Sequence, residues 1–412
     1  MQIEVDARRL AAELDQLASF STSDPPSVTR IVFSDVDLRA RRWLKELCCS
    51  AGLVVREDPV GNMIARWNAG DHDAPAVGTG SHIDAIPNAG RFDGTVGVLG
   101  GLEAIRALKA SGFAPKRPIE LLVFTAEEPT RFGIGCLGSR LLSGALDAEK
   151  AGQLRDQAGS TLDEVRKAAG FHGSLSNVRL TTNHHAAFIE LHIEQGPILE
   201  QSRHQIGLVT SIAAPAALRV VIHGQGGHAG AVLMPNRHDA LTGAAEIILA
   251  VERLAGASGA LDTVATTGLC DVFPSAVNSI PSRVSLGIDI RDINLSRRDL
   301  LVEEIRKAIE GVSRKRALQC ITEILNADDP AQCDRRILDV LRRCCEDEGV
   351  THMELVSRAY HDSLFMSRIA PVAMVFIPCR AGVSHRADEF ASLPDIANGV
   401  RVLARALAQL AS

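Results

Sequence analysis

Apolar runs of strand length alternate along this chain with longer segments whose apolar residues recur every three to four positions. Residues 95–111 have this helical period, and Gly112 directly after them is a helix stop. Strands that are joined by helices pair in parallel, because the helix returns the chain to the same edge of the sheet. The sequence therefore predicts an α/β fold with a mostly parallel sheet. Its predicted strands lie near residues 75–78, 119–125, 188–193 and 371–377.

The pattern changes between about residues 213 and 328. This stretch contains the strand LRVVIHG, a glycine-rich turn, a long helix, two further strands and a basic helix. Such an order is typical of a compact α+β domain, here of ferredoxin-like type. The first pattern then resumes with the strand PVAMVFI and a final helix near 394–411. We therefore expect one domain over residues 1–212 and 329–412, interrupted by a second over 213–328.

Composition excludes several classes of partner. The 412 residues include 50 acidic and 44 basic side chains, with a net charge of -6 and no long basic run, so neither nucleic acid nor an anionic membrane surface is expected to bind. No stretch of about 18 apolar residues is present to span a membrane. The N-terminal segment is expected to be a helix and not a secretion signal. Nine cysteines, an odd number with two adjacent pairs, favour reduced thiols in a cytoplasmic protein.

Potential metal ligands follow the predicted strands at the point where each strand ends. The four strands lead to Ser-His-Ile-Asp, Thr-Ala-Glu-Glu, His-Ile-Glu-Gln and, after a short loop, Ser-His. In open parallel sheets, ligands bind outside the carboxyl ends of the strands, so these side chains are expected to converge on one crevice. The residues concerned are His82, Asp84, Glu127, Glu128, His192 and His385.

Asp93 lies between the first two strands, in the segment GRFDGT at a helix entrance. Its carboxylate has two possible roles, to cap the helix or to bind a metal ion. The second role is favoured because three histidines and two glutamates are expected nearby. Two histidines, a bridging carboxylate and one further carboxylate suit a pair of divalent cations.

Asp84 follows His82 by two positions, so both face the same side of an extended segment. The carboxylate is then placed to accept a hydrogen bond from the imidazole nitrogen that faces away from the metal. The alternative is a solvated loop aspartate. Glu127 and Glu128 point to opposite sides if the strand continues through them, so one is expected to bind metal and the other to act as a base.

These residues lie in segments that resemble the dinuclear-metal amidohydrolases related to aminoacylase and carboxypeptidase (peptidase family M20). The resemblance is to the branch that contains β-ureidopropionase, N-carbamoyl-amino-acid hydrolases and allantoate amidohydrolase. The matching segments, in order over residues 80–390, are GSHIDAIPNAGRFDG, FTAEEPTRFG, LHIEQGPILE, GQGGHAGAVLMP, NSIPSRVSLGIDIRD and SHRADEF.

Two stretches lean towards the members of this branch that act on ureidoglycolate. One is SRAYHDSLFMSRIAPVAMVFIPC (357–379), where the allantoate and carbamoyl-amino-acid enzymes usually read S-G-A-G-H-D-A. The other is HAGAVLMP (228–235), where many relatives read H-A-G-T-T-P-M. The presence of Arg358 and Tyr360 in place of two glycines therefore favours ureidoglycolate as the substrate.

The resemblance implies a role for each candidate ligand. His82 and His192 would bind one metal ion, Glu128 and His385 would bind the other, and Asp93 would bridge them. This donor set suits either manganese or zinc, and the resemblance favours manganese.

The resemblance also implies the remaining roles. Glu127 would be the general base, in a catalytic domain interrupted by a smaller lid domain through which two chains dimerise. His228, by itself only a loop histidine, matches a residue that reaches the site of the partner subunit and stabilises the oxyanion. The matching substrate-binding positions are Gln195, His228, Asn278, Arg291, Tyr360 and His361.

Three of these substrate-binding candidates have simpler alternatives. Arg291 offers two parallel donors to a carboxylate, but it could instead pair with Asp289 or Asp292. Asn278 precedes a Ser-Ile-Pro turn and could be only a turn residue. Tyr360, the single tyrosine of the chain, could pack in the core with its hydroxyl hydrogen-bonded.

The other histidines have no comparable placement, and we expect them to be surface or structural residues. They are His72, His172, His184, His185, His204, His223, His238 and His352.

The expected activity is metal-dependent hydrolysis of ureidoglycolate to glyoxylate, ammonia and carbon dioxide. Allantoate or an N-carbamoyl-L-amino acid is the alternative substrate for the same chemistry, and a non-catalytic binder of carboxylated ureas is the alternative from another class. The expected partners are a small anionic ureido substrate and a second copy of this chain.

Overall fold

The computed structural model describes residues 3–68 and 70–412. The helices are α1 (Ala7–Ser19), α2 (Asp35–Ser50), α3 (Thr95–Ala110), α4 (Leu137–Ser143), α5 (Ala148–Gly152), α6 (Leu162–Ala168), α7 (Ile198–Ser202), α8 (Ala240–Gly256), α9 (Leu295–Arg316), α10 (Arg335–Glu348), α11 (Asp362–Met366) and α12 (Leu393–Leu410). Short 3₁₀ helices span Leu175–Val178, Met234–Asn236 and Arg380–Gly382.

The strands alternate with these helices along the chain. They are β1 (Val28–Arg30), β2 (Val54–Glu57), β3 (Met63–Trp67), β4 (Ala76–His82), β5 (Ala85–Ala89), β6 (Ile119–Phe124), β7 (His185–Ile193), β8 (Ile206–Ile212), β9 (Ala214–His223), β10 (Gly227–His228), β11 (Val264–Phe273), β12 (Ser279–Ile280), β13 (Arg283–Asp292), β14 (Gln319–Ala327), β15 (Ala331–Gln332), β16 (His352–Ser357) and β17 (Val372–Ile377).

The chain divides into two compact units that are interleaved in sequence. The first contains the residues up to Thr210 together with Gln332–Ser357 and His361–Ser412, and the second contains Ser211–Ala331 and Arg358–Tyr360. The second unit is therefore inserted into the first, and the chain returns to it at residues 358–360. The sequence-based boundaries of the insertion are 213 and 328.

The first unit is built on a nine-stranded sheet with the order β15-β8-β17-β7-β4-β6-β3-β2, in which β16 pairs with β8. The central strands β17, β7, β4 and β6 are parallel, whereas β8, β3 and β2 pair antiparallel with their neighbours. All residues of β4, β6 and β17 are buried, which is typical of parallel strands covered on both faces. The predicted α/β fold is confirmed. Within this sheet, the four central strands pair in parallel.

Helix α3 packs closely on this sheet because glycines line its inner side. A Cβ atom added to Gly97 would lie only 2.3 Å from the main-chain oxygen of Leu191 on β7. Helix α12 packs against α3, and almost every residue of α3 is buried. This packing fixes the start of α3 and therefore the loop that precedes it.

The second unit contains a four-stranded antiparallel sheet with the order β11-β13-β9-β14. Val220 and Leu286, which pair across β9 and β13, belong to the core formed with α8 and α9. The neighbouring Arg219 and Ser285 are more exposed, so one face of the sheet is covered by helices. The sequence analysis did not foresee β14, an edge strand with few buried residues.

Within the described ranges, no helix has both the length and the apolar character needed to cross a membrane. All nine cysteines are free thiols.

Candidate metal centre

The carboxyl ends of the central strands bring the predicted ligands to one edge of the sheet. His82 is the last residue of β4, and His192 is the last but one of β7. Glu127 and Glu128 follow β6 in a loop, and His385 follows β17. These strands are parallel neighbours, so their carboxyl ends lie side by side.

Two groups of three potential ligands share Asp93. In the first group, the Nε2 atoms of His82 and His192 lie 3.6 and 3.1 Å from Oδ1 of Asp93. In the second, Nε2 of His385 lies 3.2 Å from Oδ2 of Asp93 and 3.4 Å from Oε1 of Glu128. The two oxygens of Asp93 thus face different groups, an arrangement suited to a carboxylate between two cations.

Gly94 shapes the loop that holds Asp93. Its φ is 66°, and an added Cβ would lie 2.5 Å from the ring of His82, so only glycine fits here. Gly94 is also the N-cap residue of α3, and no side chain caps this helix, so Asp93 does not have the capping role. Burial alone would raise the pKa of Asp93, but contacts with the three histidines hold that pKa well below its usual range.

Asp84 contacts both His82 and the loop that carries the two glutamates. Nδ1 of His82 lies 3.1 Å from the main-chain oxygen of Asp84 and 3.7 Å from its carboxylate. The carboxylate instead accepts hydrogen bonds from the main-chain N–H groups of Glu127 and Glu128, at 3.2 and 3.1 Å. Asp84 therefore orients the loop that carries the two glutamates, because β6 ends before that loop and leaves its N–H groups without strand partners.

Glu127 and Glu128 have different surroundings although they are adjacent in sequence. Ala126 adopts a left-handed conformation with φ of 53°, so the strand does not continue through the two glutamates. Oε2 of Glu127 lies 3.8 Å from Nε2 of His82, and its Oε1 accepts a hydrogen bond from the thiol of Cys136 at 3.4 Å. Glu128 belongs to the other group, while Glu127 belongs to neither.

Burial changes the acidity of both glutamates. It raises the pKa of Glu127 well above its usual range. The nearby His82 opposes this shift, and the nearby Glu128 adds to it. Burial and the nearby Asp93 raise the pKa of Glu128 to about 7. A carboxyl group that exchanges protons near neutral pH is the kind that serves in general acid–base chemistry.

Glu389 is a buried carboxylate that the sequence analysis did not single out. Its Oε1 accepts hydrogen bonds from the main-chain N–H groups of Phe92 and Asp93, at 2.9 and 3.1 Å. Its Oε2 accepts one from the hydroxyl of Ser384 at 2.9 Å. Glu389 therefore holds the loop of Asp93 in place. Its loop partners lie almost 300 residues away in sequence, so no local pattern distinguishes it from a surface glutamate.

Gln195 lies beside the second group. Its Nε2 donates a hydrogen bond to Oδ2 of Asp93 at 2.8 Å and contacts the hydroxyl of Ser384 at 3.1 Å. Its Oε1 is buried and accepts no hydrogen bond from the described part of the chain. The amide therefore holds Asp93 and presents one acceptor that a ligand N–H group can use.

Buried polar residues lie behind His192. Glu190, on the same strand, accepts hydrogen bonds from the N–H and the hydroxyl of Ser363, at 3.1 and 2.7 Å. The ring of His361 lies 4.5 Å from that of His192, and its Nε2 contacts the hydroxyl of Ser357 at 3.1 Å. His361, a predicted substrate-binding residue, is thus buried against a candidate metal ligand.

His228 and Asn278 belong to the second unit, where they are neighbours. His228 lies on β10, which pairs with β12 directly after Asn278. The N–H of Ala229 donates a hydrogen bond to the main-chain oxygen of Asn278 at 2.9 Å. Both side chains are exposed, and Nδ1 of His228 accepts a hydrogen bond from Gly230 at 3.1 Å.

Arg291 and Tyr360 form another neighbouring pair in the second unit. The guanidinium carbon of Arg291 lies 5.6 Å from the centre of the Tyr360 ring. Nε of Arg291 donates to Oδ1 of Asp289 at 2.7 Å, which is one of the alternatives considered from the sequence. Tyr360 is half-buried, so it is not a fully enclosed core residue.

The donors around Asp93 fit divalent cations. Imidazole and carboxylate ligands together are suited to manganese or zinc, and each group offers three of them. Asp93, Glu127 and Glu128 are all buried. Burying several carboxylates together is unfavourable unless positive charge accompanies them, so the centre is better balanced with cations than without.

Comparisons with known proteins agree on one family. The model of Peptidase family M20/M25/M40 matches residues 78–409. The chain is 48% identical to a ureidoglycolate hydrolase of Arabidopsis thaliana, with 99% of this chain and 87% of that protein covered. It is 32% identical to an allantoate amidohydrolase of Bacillus subtilis, with 97% and 96% covered.

Solved structures give the same relationship. The crystal structures of AtUAH in complex with glyoxylate and with (S)-hydroxyglycine each match with a TM-score of 0.92 and 48% identity. Each match covers 99% of this chain and 98% of the other.

Proposed function

Since the chain belongs to peptidase family M20/M25/M40, we propose that it is a metal-dependent hydrolase that converts ureidoglycolate to glyoxylate. The observation that carries this proposal is the pair of ligand groups that share Asp93, with Glu127 beside them. The choice of substrate is supported by the similarity to the Arabidopsis thaliana protein and to AtUAH with bound glyoxylate.

The chain would hold two divalent cations through the two ligand groups. His82 and His192 would bind one, Glu128 and His385 the other, and Asp93 both. When bound, the cations would lower the pKa of water and polarise the ureido carbonyl group. We propose manganese, with zinc as the alternative, because both accept mixed imidazole and carboxylate donors.

Glu127 would move the proton in this reaction. Its carboxylate is close to His82 but belongs to neither ligand group, so it remains available as a base. The raised pKa of Glu127 allows it to take a proton from the attacking water and to give it to the departing nitrogen.

The atoms of this hydrolysis balance with one water molecule. Water adds to the ureido carbon, the bond from that carbon to the nitrogen of the glycolate fragment breaks, and Glu127 supplies the proton that this nitrogen needs. The first products are carbamate and hydroxyglycine. Carbamate then decays to ammonia and carbon dioxide, and hydroxyglycine to glyoxylate and a second ammonia. The structure of AtUAH with (S)-hydroxyglycine supports this order.

Substrate recognition would use the residues that the family resemblance indicates. We propose that Gln195 offers its unused acceptor oxygen to the ureido N–H groups. Arg291 would bind the substrate carboxylate and His228 would stabilise the oxyanion, in line with the family resemblance. Asn278, Tyr360 and His361 complete the proposed set.

The inserted unit would act as a ferredoxin-like lid through which two chains dimerise. Its order of strand, helix, two strands, helix and strand supports the ferredoxin-like assignment. We also propose a cytoplasmic location, for which the nine free thiols are the support.

The test compares substrates on the same protein after chelation and addition of Mn²⁺. Glyoxylate and ammonia are measured after incubation with ureidoglycolate, allantoate and several N-carbamoyl-L-amino acids. We expect ureidoglycolate to turn over fastest and to yield two ammonia molecules per glyoxylate. Rapid turnover of another substrate without turnover of ureidoglycolate would refute the substrate assignment.

A further inference from the structure

A second cluster of ligand-type side chains lies at the opposite edge of the same sheet. Glu120 is the second residue of β6 and His185 is the first residue of β7, with His184 directly before it. The metal centre around Asp93 lies at the other ends of these strands. Strands β6 and β7 flank β4, so the cluster joins three neighbouring strands at their amino ends.

Gly78 on β4 provides the space that brings His185 to Glu120. Gly78 is directly opposite Glu120 in the pairing of β4 with β6. An added Cβ on Gly78 would lie 2.9 Å from Cδ2 and 3.1 Å from Nε2 of His185, so this ring passes over the glycine. A Cβ at position 78 would also lie 2.8 Å from Cδ2 of Phe188, so a larger residue there would force one or both rings to move.

The two imidazole rings converge on one oxygen of Glu120. Nε2 of His184 lies 2.8 Å and Nε2 of His185 lies 2.9 Å from Oε2. The other oxygen, Oε1, accepts a hydrogen bond from Nη1 of Arg66 at 2.6 Å. Arg66 in turn donates to the main-chain oxygen of His72 at 2.7 Å, so the carboxylate is held in a fixed orientation.

We propose that Glu120, His184 and His185 form a third metal site, which binds a divalent transition-metal cation such as Zn²⁺. One ligand atom from each residue lies within 4.8 Å of the others, and two imidazoles with one carboxylate are a usual donor set for this ion. The carboxylate oxygen that faces the rings is the one that Arg66 leaves open. The Arg66 contact then orients a ligating carboxylate, as hydrogen bonds around metal sites generally do.

The protonation states of the cluster suit this role. Burial lowers the pKa of His185, partly offset by Glu120, so the ring is neutral at neutral pH. Burial alone would raise the pKa of Glu120, but hydrogen bonds from His184 and His185 outweigh it and lower that pKa.

The cluster also has a route for entry and a structural consequence. The side chains of His184 and Arg66 are each 24% exposed, whereas Glu120 and His185 are fully enclosed. A cation can therefore approach from the side of His184, with water completing its coordination. Once bound, it ties β6 to β7 across β4. The site would be structural, because it lies at the far ends of these strands from Asp93.

The metal content of the intact chain tests this proposal independently of turnover. The protein is stripped with a chelator, equilibrated with Zn²⁺, freed of excess ion and measured by inductively coupled plasma mass spectrometry. His184→Gln and His185→Gln are compared with wild type, and His172→Gln, at an exposed histidine of the same unit, is the matched control. Circular dichroism checks that each variant is folded.

We expect both cluster variants to bind one Zn²⁺ fewer per chain than wild type and than His172→Gln. His184→Gln is the safer variant, because its side chain is partly exposed and glutamine can still donate to Glu120. Equal zinc content in wild type and His184→Gln would overturn the proposal. Because the readout is a difference of one equivalent, it does not depend on the occupancy of the Asp93 centre or on the identity of the substrate.

Discussion

The two edges of the central sheet carry the same types of side chain in opposite electrostatic settings. At the amino edge, the single carboxylate of Glu120 contacts Arg66 and two histidines. Burial alone would raise the pKa of Glu120, but the hydrogen bonds with the histidines lower it. At the carboxyl edge, several buried carboxylates share three histidines, and the pKa values of Glu127 and Glu128 are raised. A cation would meet an ionised carboxylate at the first cluster, whereas at the second it would also displace protons.

This difference in charge explains why the carboxyl edge around Asp93 is suited to catalysis, whereas the amino edge around Glu120 is suited to a structural metal site. A carboxylate that protein cations already neutralise has little tendency to exchange protons near neutral pH. Buried carboxylates that lack such partners either keep a proton or bind a metal ion. The loops after the strands make this possible, because they hold Asp93, Glu127 and Glu128 outside the regular hydrogen bonding of the sheet.

Removal of the Asp93 side chain should have the largest effect, because it should abolish metal binding at the carboxyl edge only. Asp93→Ala deletes the ligand shared by both groups, so we expect Mn²⁺ binding at the carboxyl edge to be lost. Turnover should fall by about 10³-fold or more, because bound cations supply several kcal/mol of transition-state stabilisation. Metal content and the rate of glyoxylate release check this. Asp388→Ala, at an exposed aspartate of the same unit, is the control, and an Asp93→Ala protein with normal metal content would contradict the bridging role.

Loss of the Glu389 side chain should weaken Mn²⁺ binding at the carboxyl edge less than loss of Asp93 does. Glu389→Ala removes the acceptor of two main-chain N–H groups and of the Ser384 hydroxyl, so Asp93 loses its orientation but not its carboxylate. We expect the affinity for Mn²⁺ to fall about 10- to 100-fold, as for other residues that orient metal ligands. Saturating Mn²⁺ should restore most of the turnover. If affinity is unchanged, Glu389 does not position Asp93.

The two edges should differ in how their metal affinity depends on pH. In the metal-free chain, the pKa of Glu128 is about 7, so below that pH a cation must displace its proton. The hydrogen bond with Asp93 raises the pKa of His385 to about 9, so a cation must displace that proton as well. Affinity at the carboxyl edge should therefore fall about tenfold per displaced proton for each pH unit below about 9, and more steeply below 7. Hydrogen bonds with His184 and His185 lower the pKa of Glu120 although burial opposes this, and burial lowers the pKa of His185, so affinity at the amino edge should depend less steeply on pH near neutrality. Calorimetric titration of wild type and His184→Gln separates the two slopes; the same slope at both edges would contradict this account.

Arg66→Gln should have the smallest effect on turnover, and it should act on stability and on the proposed site at Glu120. The variant removes a charged hydrogen bond to buried Glu120, so the free energy of unfolding should drop by about 2 kcal/mol. Burial alone would raise the pKa of Glu120, but hydrogen bonds with His184 and His185 hold it below its usual value of 4.5, so the stabilising contribution of this carboxylate is present above pH 4.5 and is lost as pH falls. Urea unfolding at pH 7 and pH 4 measures both changes. Turnover at saturating Mn²⁺ should stay unchanged; a large loss would show that the two edges are coupled.

The sequence predicted much of this organisation because its signals are local. Periodicity indicated the helix at 95–111, which the structure has at Thr95–Ala110, and ligand-type residues directly after apolar runs indicated one edge of a sheet. The roles of Glu389 and Glu120 were not foreseen, since their partners lie far away in the chain. His184 and His185 were expected to be surface or structural residues, because nothing nearby in the sequence points to Glu120. Edge strand β14 was missed because few of its residues are buried.

The central claim is that Glu127 moves the proton while the residues around Asp93 hold the cations, and Glu127→Gln tests it most directly. Glutamine keeps the shape of the side chain but cannot accept the proton. We predict that the variant binds as much Mn²⁺ as wild type and hydrolyses ureidoglycolate about 10³-fold more slowly. Metal content and glyoxylate release are measured on the same sample. Normal turnover would contradict the role of Glu127 as the base, and lost metal would show that it is a ligand instead.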